Sequence, residues 1–237
     1  MKMNKDLVKN FLFAGTIVAI AKDLKSLFFN IKSLILHAKN YYIIAHRKIT
    51  EEYLHFGCGN DYKEGFINLD MNKKADFYLD ARNKLPFKNE TIEYIYSSHF
   101  IEHLNNDELS RHFKESFRVL KSGGIYRICV PDFLSLIKVY LTKDNQWIKM
   151  AEKEILFNFD YISDSLVSYG DYLDRALHEN GSHKVFLDYE RIKKMLINAG
   201  FKEDNIKLVE YDVSIDLDKR KNFSIYIETK KIINQKL

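Results

Sequence analysis

The stretch Glu52-Tyr-Leu-His-Phe-Gly57-Cys-Gly59-Asn60, followed by Gly65-Phe-Ile-Asn-Leu-Asp70, decides the fold of this chain. It predicts an apolar strand that enters a tight glycine turn, and then a second strand that ends in a carboxylate. Glycine lets the backbone approach a ligand closely, and a carboxylate in that place can accept hydrogen bonds from ribose hydroxyls. Only eleven positions separate Gly59 from Asp70, which is too short for a crossover helix with its loops. We therefore predict a short turn around residues 61–64, unlike an ordinary dinucleotide-binding unit.

Composition and charge limit the classes of protein that fit. The chain has 237 residues, 46% of them hydrophobic, which suits one domain with a core and an appended segment. Its two cysteines, Cys58 and Cys129, are too few for a disulfide framework and predict reduced thiols in a cytoplasmic protein. Residues 1–50 carry nine Lys or Arg against two Asp, so the net charge of +4 leaves the remainder acidic. This distribution argues against a nucleic-acid partner and for a basic arm that meets something anionic.

The N-terminal arm, residues 1–50, is predicted to be a basic amphipathic helical segment. Its apolar residues recur at the helical period, and they are Leu24, Leu27, Phe28, Ile31, Leu34, Ile35, Ala38 and Tyr42. The uncharged run at 11–21 is too short to span a bilayer, although its Lys-rich flanks also resemble a signal peptide. Three roles stay open: peripheral contact with the inner membrane face, packing on its own domain, and contact with a second subunit in a homodimer.

From residue 52 onward, strand and helix patterns alternate, which predicts a mostly parallel sheet covered on both faces. Strands are predicted at 53–57, 66–70, 75–80, 92–97, 124–130, 206–213 and 223–229, and helices at 107–120, 133–142, 146–178 (broken) and 188–199. Asp188 is typical of a helix N-cap, and Gly200 of the residue that ends a helix. The pair Gly123-Gly124 is expected to play the same stop role before the fifth strand.

Several motifs follow one another in a characteristic order. They are Leu54-His-Phe-Gly-Cys-Gly59, Gly65-Phe-Ile-Asn-Leu-Asp70, Leu79-Asp-Ala81, Leu85-Pro-Phe-Lys-Asn-Glu-Thr-Ile-Glu-Tyr-Ile-Tyr96, Ser98-His-Phe-Ile-Glu-His-Leu104 and Phe117-Arg-Val-Leu-Lys-Ser-Gly-Gly-Ile-Tyr-Arg-Ile-Cys-Val-Pro-Asp132. The series resembles the class I S-adenosylmethionine-dependent methyltransferases, especially a bacterial branch found with surface-polysaccharide enzymes. The resemblance implies a Rossmann-like α/β sheet of seven strands, the last antiparallel, in a domain spanning 51–237 with an insert or lid at 141–187.

The resemblance also implies S-adenosylmethionine as cofactor and assigns residues to it. The turn at Gly57, Cys58 and Gly59 would pass close to the methionine part of the cofactor. Asp70, at the end of the second strand, would hold the ribose hydroxyls.

Three further positions belong to the same implied site. Asp80 and Ala81 would meet the adenine ring, and Ser98 would lie near the sulfonium. These places agree with the rule that ligands sit beyond the carboxyl ends of strands in open α/β sheets.

Two positions depart from the family pattern. Many members place an acidic residue, which binds the cofactor's ammonium group, where this chain has His55. A third glycine is common where this chain has Asp61, which could take over the ammonium contact. His55 is either a cofactor contact or a histidine packed in the core.

Transfer of a methyl group to a hydroxyl would be helped by a general base, and five residues are candidates. His99 and Asp132 are favoured as catalytic residues because both follow strands at the end that faces the cofactor. Asp132 is equally typical of an N-cap for the helix that begins at 133. His103, His178 and His183 are candidates on the acceptor side.

The run His99-Phe-Ile-Glu102-His103 also matches a zinc-peptidase pattern, because histidines four positions apart share a helix face. No third ligand is evident in the sequence, and the run stands where the methyltransferase series requires it. We therefore predict no metal.

The sequence leaves three functions to compare. The first is methyl transfer to a hydroxyl of a sugar or glycolipid intermediate in surface-polysaccharide biosynthesis. The second is a methyltransferase for a small molecule or a quinone-type lipid, which predicts an enclosed apolar pocket under the 141–187 insert. The third is a non-catalytic binding or assembly module that keeps the fold.

Overall fold

The computed structural model describes residues 5–46, 52–153 and 168–233. These residues form six α-helices and seven strands. The helices are α1 (Lys5–His46), α2 (Asn106–Val119), α3 (Phe133–Thr142), α4 (Asn145–Lys153), α5 (Tyr169–His178) and α6 (Tyr189–Ala199). The strands are β1 (Tyr53–Phe56), β2 (Ile67–Asp70), β3 (Phe77–Tyr78), β4 (Ile92–Ser98), β5 (Leu120–Pro131), β6 (Ile206–Val209) and β7 (Ser224–Lys230).

The strands form one seven-stranded sheet in the order β3-β2-β1-β4-β5-β7-β6. Neighbours from β3 to β5 are parallel, whereas β7 is antiparallel to both β5 and β6. The Rossmann-like α/β fold with an antiparallel last strand is thus confirmed. The order reverses between β1 and β4, which creates a crevice at the carboxyl ends of these two strands.

The connection between β1 and β2 is short, as the eleven-position spacing predicts. Residues 57–66, all of which are described, contain turns and no helix. The two strands pair directly in parallel, with Leu54 beside Ile67 and Phe56 beside Leu69. The glycine turn therefore lies immediately against the end of β2.

The helix-capping residues that the sequence predicts are only partly observed at the ends of helices. The Asp188 side chain accepts a hydrogen bond from the Arg191 amide, and Gly200 ends α6 at a φ of 114°. Gly123-Gly124 does not have the predicted role, because α2 already ends at Val119 and β5 begins at Leu120. The pair lies inside the strand next to a register shift against β4, so these glycines accommodate an irregularity in the ladder.

A buried ion pair shortens β6 relative to its predicted range. Arg127, 3% exposed on β5, is bound by Asp216 and Glu228 and donates to the Glu210 carbonyl. The Asp212 amide also donates to the Asp216 carboxylate. Residues 210–216 therefore lie outside the sheet, where Asp216 binds the Arg127 side chain.

Packing of the N-terminal arm on its own domain was one of the alternatives that the sequence left open. In the structure the apolar stripe of helix α1 does not pack on the domain. The hydrogen bonds of α1 to the sheet come from polar side chains: Ser33 Oγ lies 2.6 Å from the Tyr78 hydroxyl, and Asn40 donates to the Tyr78 carbonyl. At 100° per residue these positions lie opposite the stripe. The stripe residues with described side chains are exposed, for example Phe28 by 71% and Leu34 by 68%. None of the described helices is both long and apolar enough to cross a membrane.

Part of the predicted helical region 146–178 is described as α4 and α5. The prediction for residues 154–167, and with it much of the aromatic insert, lies outside the described residues.

Candidate functional site

A cavity of about 530 Å³ opens at the carboxyl ends of β1, β2 and β4. Its size falls within the range of small-molecule sites. Its wall includes the glycine turn, the end of β2, residues 79–82, and His99, Phe100, His103 and Leu104. Lys184, Lys219 and Arg220 complete it from the C-terminal half of the chain.

The two glycines of the turn have different surroundings. Gly57 has a φ of 64°, and a Cβ there would lie 2.5 Å from the Phe100 ring. Gly59 has a φ of 53°, but a Cβ there would meet nothing within 4 Å. Gly57 is therefore required by the packing of Phe100, whereas Gly59 leaves open space beside the cavity.

Cys58 lies between these glycines and also lines the cavity. It is 2% exposed, and burial raises the pKa of its thiol to about 12. The thiol is therefore protonated near neutral pH, and Cys58 forms part of the wall rather than a nucleophile.

Asp70 stands at the mouth of the site, at the end of β2. One carboxylate oxygen, Oδ2, accepts a hydrogen bond of 2.8 Å from the Gly59 amide. The other oxygen accepts none from the described residues, so it is available to a ligand in the cavity. The structure thus brings together Gly59 and Asp70, as the sequence predicted.

Asp80 lines the cavity beside Ala81, but its carboxylate already has a partner. Arg82 binds both oxygens, with Nε and Nη2 each at 2.7 Å. The Asp80 amide in turn donates to His37 Nδ1 of α1, 3.1 Å away. The sequence analysis missed Arg82, although the spacing of Asp80 and Arg82 could have suggested the pair.

Asp61 also lines the cavity, where it is held by a basic turn near the C-terminus. Lys219 Nζ lies 2.8 and 3.0 Å from its two carboxylate oxygens, and Arg220 lies 3.9 Å away. Arg220 also donates to the Ser98 hydroxyl at 3.0 Å. Nothing in the local sequence around Asp61 indicates these partners, because they are about 160 positions away.

Two residues assigned to the cofactor do not line the cavity. His55 is 1% exposed, and its Nδ1 lies 3.0 Å from Asn68 Oδ1, so it is the packed core histidine of the two alternatives. Burial lowers the pKa of His55 to about 4. Ser98 is 3% exposed and reaches the site only through Arg220.

His99 lines the cavity in an unusual backbone conformation. Its φ of 50° lies in the left-handed region, where residues other than glycine are uncommon. Its Nε2 lies 2.8 Å from Ser224 Oγ, and its Nδ1 lies 3.9 Å from Glu102 Oε1. Burial lowers the pKa of His99 well below its usual value, so the imidazole is neutral at pH 7. Such conformations cluster at functional sites.

Asp132 and His178 lie outside the cavity wall. The Asp132 carboxylate accepts from the Ser135 amide at 3.1 Å and so caps α3, which is the alternative role that the sequence left open. The His178 side chain is 66% exposed on α5, with Asp174 3.7 Å away. The favoured catalytic role for Asp132 therefore has no support from its position.

Glu102, His103 and His183 form a compact group beside His99. One ligating atom from each lies within 4.8 Å of the others. Glu102 is 0% exposed, and neither of its carboxylate oxygens has a hydrogen-bond partner among the described residues. Burial raises the pKa of Glu102 to about 8. Only His103 of the three also lines the cavity.

The cavity fits S-adenosylmethionine in three respects. A Cβ at Gly59 would point into open space, so the turn leaves room for a ligand against its backbone. Asp70 presents an unpaired carboxylate oxygen, which suits the two ribose hydroxyls. Leu79 and Ala81, on either side of Asp80 in the sequence, give the cavity apolar lining, which suits a flat aromatic base.

Part of the sequence is similar to a known family. Residues 47–128 match a family described as a methyltransferase domain. No curated protein matches the sequence. The structure is similar to an S-adenosylmethionine-dependent methyltransferase from Thermotoga maritima, described as a possible histamine N-methyltransferase. They share 15% identity over 89% of this chain and 95% of that one, with a TM-score of 0.45. It is also similar to a methyltransferase from Archaeoglobus fulgidus, with 17% identity, 87% and 99% coverage and a TM-score of 0.46.

The matched segment begins before β1 and ends within β5, so it contains the glycine turn, Asp70 and most of the cavity wall. The sheet order β3-β2-β1-β4-β5-β7-β6 is compatible with that match. Residues 47–128, and with them this part of the cavity, are therefore similar to a methyltransferase domain.

Proposed function

We propose that the chain transfers a methyl group from S-adenosylmethionine to a hydroxyl of a sugar or glycolipid intermediate. The observation that carries the transfer is the cavity that joins Gly59 and Asp70 to His99. The surface-polysaccharide setting rests on the sequence resemblance. The sulfonium supplies an already activated methyl group, so the protein's main task is to position the acceptor in line with the bond that breaks.

The residues at the cavity divide this task. Asp70 would hold the ribose through its free oxygen, while the backbone at Gly59 lies beside the methionine part. Asp61 would share its carboxylate between Lys219 and the cofactor's ammonium group. His99 is the neutral imidazole that we assign as acceptor of the hydroxyl proton, and its contact with Ser224 fixes the ring.

The basic side chains at the cavity support an acceptor that carries a phosphate. Lys184, Lys219 and Arg220 enter from two loops of the C-terminal half of the chain, and Lys219 and Arg220 also contact the Asp61 carboxylate. A phosphorylated sugar or a lipid-linked sugar would present both a hydroxyl to His99 and an anion to these cations. Of the described residues in the 141–187 insert, only Lys184 reaches the cavity.

We also propose that α1 lies on an anionic membrane surface. Its exposed apolar stripe points away from the domain, and Lys25, Lys32 and Lys39 are exposed beside it. A helix with this distribution of charge and apolar surface lies in the plane of a lipid interface. Such contact would place the cavity near a lipid-linked acceptor.

Calorimetric titration with S-adenosylmethionine and S-adenosylhomocysteine tests the proposed site. We expect binding to the wild-type protein, and a loss of about 10- to 100-fold in affinity for Asp70→Asn, because hydrogen bonds to a charged group disappear. Asp204→Asn, at an exposed carboxylate in the turn before β6, serves as the matched control and should bind normally. Absence of binding by a well-folded wild-type protein would favour the non-catalytic assembly module.

Release of S-adenosylhomocysteine then tests the acceptor class. We expect turnover with some phosphorylated sugars, and less with the same sugars lacking phosphate. Equal turnover of the phosphorylated and unphosphorylated sugars would contradict the proposal that the basic side chains bind the acceptor's phosphate.

A further inference from the structure

A group of metal-ligating side chains lies at the edge of the cavity, and the cofactor does not account for it. Glu102 and His103 belong to the 3-10 turn Ile101–His103, which follows β4. His183 comes from the loop after α5, 80 positions further along the chain. The ligating atoms of the three lie within 4.8 Å of one another.

Glu102 is the residue of this group whose surroundings favour a metal ion. Its side chain is fully buried, and both of its oxygens lack a hydrogen-bond partner among the described residues. An unpartnered buried carboxyl group costs free energy, and buried charges are normally paired or bound to a metal. Two imidazole nitrogens lie near its Oε1, His99 Nδ1 at 3.9 Å and His183 Nε2 at 4.0 Å. These distances are too long for hydrogen bonds but leave room for a bridging ion.

His103 is already oriented as a metal ligand. Its Nδ1 lies 3.1 Å from the Ser182 carbonyl oxygen, which can only accept, so Nδ1 carries the proton. In the neutral ring the lone pair is then on Nε2. Backbone carbonyls orient metal-binding histidines in this manner. His103 Nε2 and His183 Nε2 both face Glu179 Oε2, at 3.9 and 3.3 Å.

The backbone holds the two halves of the group together. The amides of Lys184 and Val185 both donate to the Glu102 carbonyl, at 2.9 and 3.3 Å. The loop that carries His183 is therefore fixed to the turn that carries Glu102 and His103. Ligands around a tetrahedral zinc ion lie about 3.4 Å apart, so closure requires side-chain movements of about 1 Å.

We propose that Glu102, His103 and His183 bind one divalent transition-metal cation such as Zn²⁺, with Glu179 as a fourth ligand or its support. Two imidazoles and a carboxylate favour zinc or cobalt over magnesium, which prefers an all-oxygen shell. The sequence predicted no metal because no third ligand was evident beside His99 and His103, whereas the tertiary structure groups His183 with Glu102 and His103. If the proposed function holds, a cation beside His103 would bind the acceptor hydroxyl at the cavity wall and lower its pKa.

Metal binding can be tested without the cofactor. Protein freed of metal by chelator dialysis is titrated with Zn²⁺, and metal content is measured after gel filtration. Co²⁺ is added to a second sample, whose visible absorption reports tetrahedral coordination by protein ligands. We expect one equivalent per chain, with an affinity at least about 100-fold lower in His183→Ala and in Glu102→Gln.

Controls separate metal binding from folding and from the methyltransferase site. His46→Ala removes an exposed histidine at the end of α1 and should keep the full equivalent of metal. Far-UV circular dichroism checks that each variant is folded. A wild-type protein that retains under a tenth of an equivalent, or a folded His183→Ala that binds Zn²⁺ as tightly as wild type, overturns the proposal. Titration with S-adenosylmethionine is a separate measurement, so the metal site and the cofactor site can be contradicted independently of each other.

Discussion

At the scale of single residues, the turn at Gly57 and Gly59 shows how one sequence motif combines two physical constraints. Both glycines adopt a positive φ, which an L-residue adopts at a cost of about 1–2 kcal/mol. Only Gly57 also faces a packed side chain, since Phe100 fills the space that a Cβ would need. The motif is therefore structural at its first glycine and open to the ligand at its second.

This difference predicts unequal costs for two alanine substitutions. Gly57→Ala should lower the free energy of unfolding by about 3 kcal/mol, because overpacking against Phe100 adds to the backbone cost. Gly59→Ala should lower it by only about 1 kcal/mol, since its Cβ meets no atom. Urea denaturation of both variants measures the difference. Equal losses would mean that Phe100 does not constrain the turn.

His99 and Glu102 show what a residue's local sequence leaves undetermined. The pattern His99-Phe-Ile-Glu102-His103 predicts two histidines on one helix face. The structure instead gives His99 a left-handed conformation and places only residues 101–103 in a 3-10 turn. His99 therefore faces Ser224 and the cavity, while His103 turns toward Ser182 and His183.

At the scale of secondary-structure elements, α1 is the least expected part of the molecule. Its periodicity predicts an apolar stripe, but the structure uses the opposite, polar face to contact β3. Ile44, near the end of the helix, is the described α1 residue that joins the core, at 3% exposure. A helix can thus be anchored by a few polar contacts and one apolar residue while its main apolar stripe stays exposed.

The exposed stripe predicts binding to lipid vesicles. The protein should sediment with vesicles that contain phosphatidylserine at low salt, and less with phosphatidylcholine alone or at high salt, because the lysines contribute electrostatically. The double substitution Phe28→Glu and Leu34→Glu should abolish sedimentation. Val213→Glu, at an apolar residue 82% exposed outside the arm, is the matched control.

A second outcome would assign the stripe to a different partner. If the wild-type protein is a dimer in analytical ultracentrifugation, and the double variant is a monomer, the stripe contacts a second copy of this chain. Failure of the wild-type protein to sediment with anionic vesicles would likewise contradict the membrane proposal.

At the scale of the whole molecule, buried histidines couple folding to pH. His112 of α2 is fully buried against β5, with Nε2 2.8 Å from the Tyr126 hydroxyl, which in turn lies 3.0 Å from Ser97 Oγ. Burial lowers the pKa of His112 to about 4. The unfolded chain binds a proton at this residue below its ordinary pKa of about 6.5, whereas the folded chain does not. Stability from this residue is therefore lost as the pH falls from about 6.5 toward 4.

This linkage predicts a pH-dependent difference between His112→Gln and the wild type. Between pH 7 and pH 5 the wild type should lose roughly 2 kcal/mol more of its unfolding free energy than the variant. The comparison with a variant is needed because burial raises the pKa of Glu102, which acts in the opposite direction. Urea denaturation at both pH values measures it, with His46→Ala as the exposed control. An identical pH dependence in His112→Gln and wild type would contradict the assignment.

The features of this protein that depend on local pattern and residue spacing could be predicted from the sequence alone. The eleven positions between Gly59 and Asp70 predict a short connection, and alternating patterns predict a mostly parallel sheet, whereas the antiparallel last strand was implied by the family resemblance. The proximity of Gly59 and Asp70 follows, because parallel strands bring their carboxyl ends to one edge.

The side chains that complete the site could be identified only from the folded structure. Lys219 reaches Asp61 from 158 positions away, and His183 reaches Glu102 from 81 positions away. It also assigned His55 to the core and Asp132 to a helix cap, two alternatives that the sequence could not separate. The physical reason is the same in each case. Local periodicity fixes the face and the end of an element, whereas burial and ionic partners depend on segments that meet only when the chain folds.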